Sequence, residues 1–146
     1  MVCISLHQSL DAEINMKIGS SLAPLRDDKV LIIGSGYSFH NMGAFFNSSR
    51  QTLQASVDFN CWLKETILED STTEKTTSHS HLEKLKQWQT APGARISHPR
   101  EEHLLPLLIA AAAGGTDALP KLIYDTTIYD SQAQLSEHAV TGYLFR

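Results

Sequence analysis

Seven histidines occur among the 146 residues of this chain. Histidine's ordinary pKa lets it both bind a metal and exchange protons near neutrality, so their contexts come first. His40 closes the run Gly34-Ser35-Gly36-Tyr37-Ser38-Phe39-His40-Asn41, which follows directly on the apolar stretch Val30-Leu31-Ile32-Ile33. Such a loop leaves the C-terminal end of a strand, where open α/β sheets place their ligands. Asn41 can fix a nearby polar group or cap the helix that follows. From spacing alone, a helix-capping segment with a merely exposed His40 reads equally well.

His98 and His103 bracket the start of a second helix. Their spacing of five does not place them on one helical face. A helical His103 that points into a site, braced by His98 or Arg100, is the arrangement that uses them. The plainer reading has His103 capping its helix or stacking in the core. His79 and His81 sit in a polar Ser/Thr stretch, where solvated loop histidines are the common case, and His7 and His138 are lone residues near turns. A phosphate cradle at Gly34-Ser35-Gly36 is weakly signalled, since neither GxGxxG nor a following Lys-Ser/Thr is present.

These residues need a scaffold to bring them together. Val2 to Leu6 reads as a buried strand, followed by an amphipathic helix carrying Ile14, Ile18, Leu22 and Leu25 and capped by Ser9 or Asp11. Val30 to Ile33 supplies a second strand, so the opening is β-α-β with a crossover long enough for parallel strands. Residues 56 to 68 and 82 to 89 read as helices across a polar loop. Pro99 suits the first turn of the next helix, Glu101 and Glu102 complement its N-terminus, and Gly114-Gly115 ends it. Lys121 to Asp125 and Val140 to Phe145 supply two more strands, edge or antiparallel additions. The pattern predicts one α/β domain over 1–146, a three-layer α/β/α fold with a mixed, largely parallel central sheet. An apolar strand so near the start wants neighbours on both sides, and the sheet is therefore expected to be incomplete at the N-terminus.

Twelve basic against 16 acidic residues give a formal charge of -4, with no basic cluster to meet a phosphate backbone, so nucleic acid is not an expected partner. No run has the length of a membrane span, and the first residues lack the basic flank of a secretory signal. Cys3 and Cys61 have no second cysteine at zinc or redox spacing and read as buried thiols of a cytoplasmic protein.

At Leu31 to Asn41, Ala91 to Arg95 and His98 to Leu107 the sequence closely resembles the C-terminal half of the class III extradiol ring-cleavage dioxygenases of the LigB type. The single-chain branch that includes 4,5-DOPA dioxygenase is nearest, and Ile4 to Asp11 and Ile18 to Leu25 extend the likeness over nearly the whole chain. The resemblance implies opening of a catechol ring with both atoms of O2 at a mononuclear non-haem metal, Fe(II) or Zn(II). It also implies that His103 and His40 bind the metal, with His40 acting as catalytic acid/base. His98, Asn41 and Arg100 would lie around the site or against substrate.

The departure from the family matters as much. Two further metal-binding histidines of the family lie in an N-terminal half with no counterpart here. The expectation is therefore a partial site, weak metal binding and little activity alone. A separate N-terminal half or a homo-oligomer is the partner to look for. A non-catalytic remnant that binds a partner, or a small phosphate-binding module, are the other readings.

Overall fold

The computed structural model describes residues 1–68, 80–115, 118–129 and 137–145. Helix α1, Ala12–Leu22, starts where the Asp11 carboxylate accepts the Ile14 amide at 2.8 Å. Its inward face is Ala12, Asn15, Met16 and Gly19, whereas Ile14 remains 38% exposed. The expected face of Ile14 and Ile18 is thus not the buried one. Small residues decide the matter: a Cβ on Gly19 would stand 2.3 Å from the Ile109 carbonyl oxygen, so only glycine lets the neighbouring helix approach this closely. Buried Asn15 ties down the preceding turn, accepting from the His7 amide and donating to the Asp11 carbonyl.

Helix α2, Met42–Phe46, is short, and α3, Arg50–Leu68, is the long element of the fold. On α3 the buried positions Ala55, Ser56, Phe59, Asn60, Leu63, Thr66 and Ile67 recur every three or four residues. Helix α4 is Ser80–Lys86 and α5 is Ala94–Ser97. Helix α6, Leu105–Gly114, is apolar almost throughout and ends at Gly115 with φ 80°. Phe59, Leu63, Ile67, Leu85, Trp88, Leu104, Leu105 and Leu108 form one core with no solvent exposure.

The start of α6 differs from expectation. Helix α6 begins at Leu105 with Pro106 in its first turn, and Pro99 to Leu104 precede it as bends and turns. Glu101 and Glu102 serve ion pairs, to Arg95 at 2.7 Å and to Arg100 at 2.7 Å.

Two strands are assigned, β1 (Pro120–Tyr129) and β2 (Glu137–Phe145), paired antiparallel with an irregularity between Leu122 and Tyr124. This hairpin agrees with the antiparallel addition read from the sequence. The chain is therefore a mixed helix-and-strand protein, and among the described residues its sheet has two strands. Residues 2–6 and 30–33, expected as parallel strands, are left outside any sheet because no described segment lies beside them to pair with. Val2, Leu31 and Ile33 are correspondingly exposed. The cysteines are exposed rather than buried, Cys3 on the uncovered segment and Cys61 on the outer side of α3. No described helix is long and apolar enough to cross a membrane.

Candidate metal and proton-transfer site

Residues 36–41 and 96–103 are locked together by backbone carbonyls. The close approach begins at glycines: a Cβ on Gly34 would meet the Pro106 carbonyl oxygen at 2.2 Å, and one on Gly36 the His103 carbonyl oxygen at 2.2 Å. With that clearance, the Tyr37 amide donates to the His103 carbonyl at 2.9 Å and the His40 amide to the Ser97 carbonyl at 2.9 Å. Asn41 does both things its position offered. Its Nδ2 donates to the Ile96 carbonyl at 2.7 Å, and its Oδ1 accepts the Ala44 amide at 3.0 Å to cap α2.

The result places the imidazoles of His40 and His103 in a stack, centroids 3.4 Å apart and planes 17° from parallel. His103 is exposed and His40 half-buried. His40 has a hydrogen bond to its own backbone, and no hydrogen bond from the His103 ring is found among the described residues. Burial holds the His40 pKa below its ordinary value, and the charge of His103 pushes it the same way. Both effects keep His40 neutral, with a lone pair to offer. His103 sits in the turn ahead of α6, not on the helix itself.

His98 is fully buried and turned away from this pair. Its Nε2 lies 2.9 Å from the Ser38 carbonyl, which can only accept, so Nε2 carries the proton. Phe59 and Trp88 flank the ring edge to face, and burial pushes its pKa down to about 4. Its contact is with the backbone just before His40. Arg100 reaches Glu102 instead of either imidazole, and it is Glu102 whose charge acts on His40.

The glycine contacts also account for Gly34-Ser35-Gly36 without a phosphate. Protein backbone occupies the space a cradle would leave open. His7 is held to Ser9 in the N-terminal turn, and His79 lies outside the described residues. His81 is buried.

Sequence reasoning passed over three residues. Ser38 is buried and its Oγ accepts the Thr141 amide at 2.9 Å, joining the histidine loop to β2. Asn60 donates to the Ala139 carbonyl and accepts the Thr141 hydroxyl at 2.8 Å. His138 is buried and stacks on Phe39 at 4.1 Å. A polar residue in a helical stripe was the available signal for Asn60. Nothing in the local sequence pointed to His138.

The two loops thus bring His40 and His103 together on a mixed helix-and-strand scaffold. No family model matches the chain. It is 35% identical over 126 residues to the 4,5-DOPA dioxygenase extradiol of Beta vulgaris, covering 86% of this chain and 44% of that protein. It is 34% identical over 128 residues to the one from Portulaca grandiflora, covering 86% and 44% respectively. An uncharacterized Escherichia coli K12 protein of known structure shares the fold, with a TM-score of 0.62 and 22% identity over 89% of this chain and 50% of its own. The chain fits the LigB-like extradiol dioxygenase family, matching the C-terminal half of these relatives. It spans less than half the length of the curated relatives it matches.

Proposed function

We propose that the chain supplies one half of an extradiol ring-opening dioxygenase domain whose substrate is a catechol such as DOPA. The reading rests on one observation, the 3.4 Å stack of His40 on His103. Two adjacent imidazoles suit a first-row metal, Fe(II) or Zn(II). They are also fewer than the three protein ligands such an ion ordinarily takes. Among the described residues no group of three or more His, Cys, Asp or Glu forms. The pair fits part of a metal site, and no catalytic step is assigned to this chain alone.

In a completed site, a non-haem metal would supply the electron path between catechol and O2. The residues here do the rest. His40 is neutral, half-buried and within a rigid loop, which suits it to take and return the proton of a substrate hydroxyl. His98 and Asn41 hold the backbone on which that ring is mounted. Completion by an N-terminal half, in the same or a separate polypeptide, would also turn the extended segments into strands of a three-layer α/β/α domain.

A second reading, a partner-binding module without catalysis, is favoured by the exposed apolar residues Leu31 and Ile33. Two measurements separate the readings. Titration with Co(II) or Zn(II) against a chromophoric chelator should show weak binding, reduced at least tenfold in both His40→Ala and His103→Ala. Anaerobic Fe(II) loading followed by L-DOPA and O2 should give no yellow semialdehyde from the chain alone. Metal binding indifferent to both substitutions refutes the site, and rapid ring cleavage by the isolated chain refutes its incompleteness.

A further inference from the structure

Beside the histidine pair runs a groove of about 400 Å³ that the site does not use. Its floor is α6, through Leu107, Ala110 and Ala113, and its walls are the extended segment 30–36 and residues 141–145 of β2. At one end the Ser38 to Thr141 hydrogen bond draws the walls together; at the other the Arg26 guanidinium donates to the Gly114 carbonyl. His103 lines the groove as well, so one end of anything lying along it comes beside the imidazoles.

Both walls present open backbone edges, one from an extended segment and one from strand β2. Residues 31–36 make no backbone hydrogen bond among the described residues. β2 pairs with β1 through one edge, and on its other edge the Ala139 and Thr141 amides are taken by the Ser56 and Ser38 hydroxyls. Amide direction alternates along a strand, so Tyr143 and Phe145 present their N–H groups on that same edge. A groove with an apolar floor and unpaired backbone on both sides matches strand addition, where main-chain bonds give affinity and side-chain pockets give selectivity.

We propose that the groove seats a single extended polypeptide segment, inserted between residues 30–36 and β2 and bonded to both. The occupant is an apolar segment of the complementary half of the dioxygenase domain. For that choice the argument rests on the function proposed above and on length: more than half of the Beta vulgaris relative lies outside the match. The lining is mostly apolar, its polar members include Ser38 and Thr141, and its charged residue is the cation Arg26, which disfavours a segment rich in lysine and arginine.

The test is a chimera in which the Beta vulgaris sequence ahead of the matched region is fused to Met1, compared with the chain alone by amide hydrogen exchange. Exchange at residues 31–36, Tyr143 and Phe145 should slow at least tenfold in the chimera. Ala110→Trp, which fills the floor, should abolish the protection; Ala110→Leu gives a graded loss if the larger residue prevents folding. His40 does not line the groove, and His40→Ala should leave the protection intact. Protection without ring cleavage therefore sustains the groove assignment while overturning the catalytic one. A folded chimera whose groove amides exchange as fast as those of the isolated chain overturns the groove assignment. So does protection in the isolated chain that rises with its own concentration, since the occupant is then a second copy.

Discussion

Replacing His98 by glutamine should flatten the acid limb of the stability curve. In the folded chain burial holds this imidazole at a pKa of about 4, against an ordinary value near 6.5. The unfolded chain therefore takes up a proton on His98 first, so its stabilising contribution is complete above pH ~6.5 and is lost as pH falls toward 4. Between those values the loss approaches about 3 kcal/mol, and at pH 5, where most carboxylates remain ionised, it is about 2 kcal/mol. Glutamine keeps a donor for the Ser38 carbonyl but cannot titrate. The variant is expected to be weaker at pH 7 through imperfect packing against Phe59 and Trp88, yet to lose less on acidification by that amount. Urea unfolding followed by the fluorescence of the buried Trp88 at pH 7 and pH 5 measures both. Equal acid losses in the two proteins would show that His98 is not the group responsible.

Gly19→Ala forces a methyl into the Ile109 carbonyl, and because the obstacle is backbone, α1 and α6 must separate; a loss of about 1–3 kcal/mol in urea unfolding is expected. Asn60→Ala removes the buried amide that holds the Ala139 carbonyl and the Thr141 hydroxyl. A cost of about 1–3 kcal/mol is expected, and faster amide exchange in β2 than in α6 will show that the hairpin is what loosens. Should α6 loosen to the same degree, Asn60 supports the core at large and not the hairpin.

The helices were legible because their apolar residues recur at helical spacing, as α3 shows through Phe59, Leu63 and Ile67. The buried face of α1 was not, since Gly19 and Ala12 are buried for their smallness, and counting large apolar residues points instead to Ile14. The extended segments at 2–6 and 30–33 carry strand composition, but pairing is a property of two segments. Composition reports one of them. The start of α6 was misplaced because Pro99 and Pro106 both satisfy first-turn chemistry, and the ion pairs of Glu101 and Glu102 are long-range facts that local spacing does not contain.

What joins His40 to His103 across 62 intervening positions is not attraction between the imidazoles. Two glycines let one backbone press on another, and carbonyls of Ser38, Ile96, Ser97 and His103 accept the bonds that fix the loop. Because the fastening is done by main chain, His98 and Asn41, neither stacked ring is needed to hold the two loops together. A site fastened through its own imidazoles would have to surrender those bonds to receive a metal. The backbone around the pair is set beforehand, but near-parallel rings 3.4 Å apart aim their lone pairs side by side, so one ring must turn before both could face a common ion.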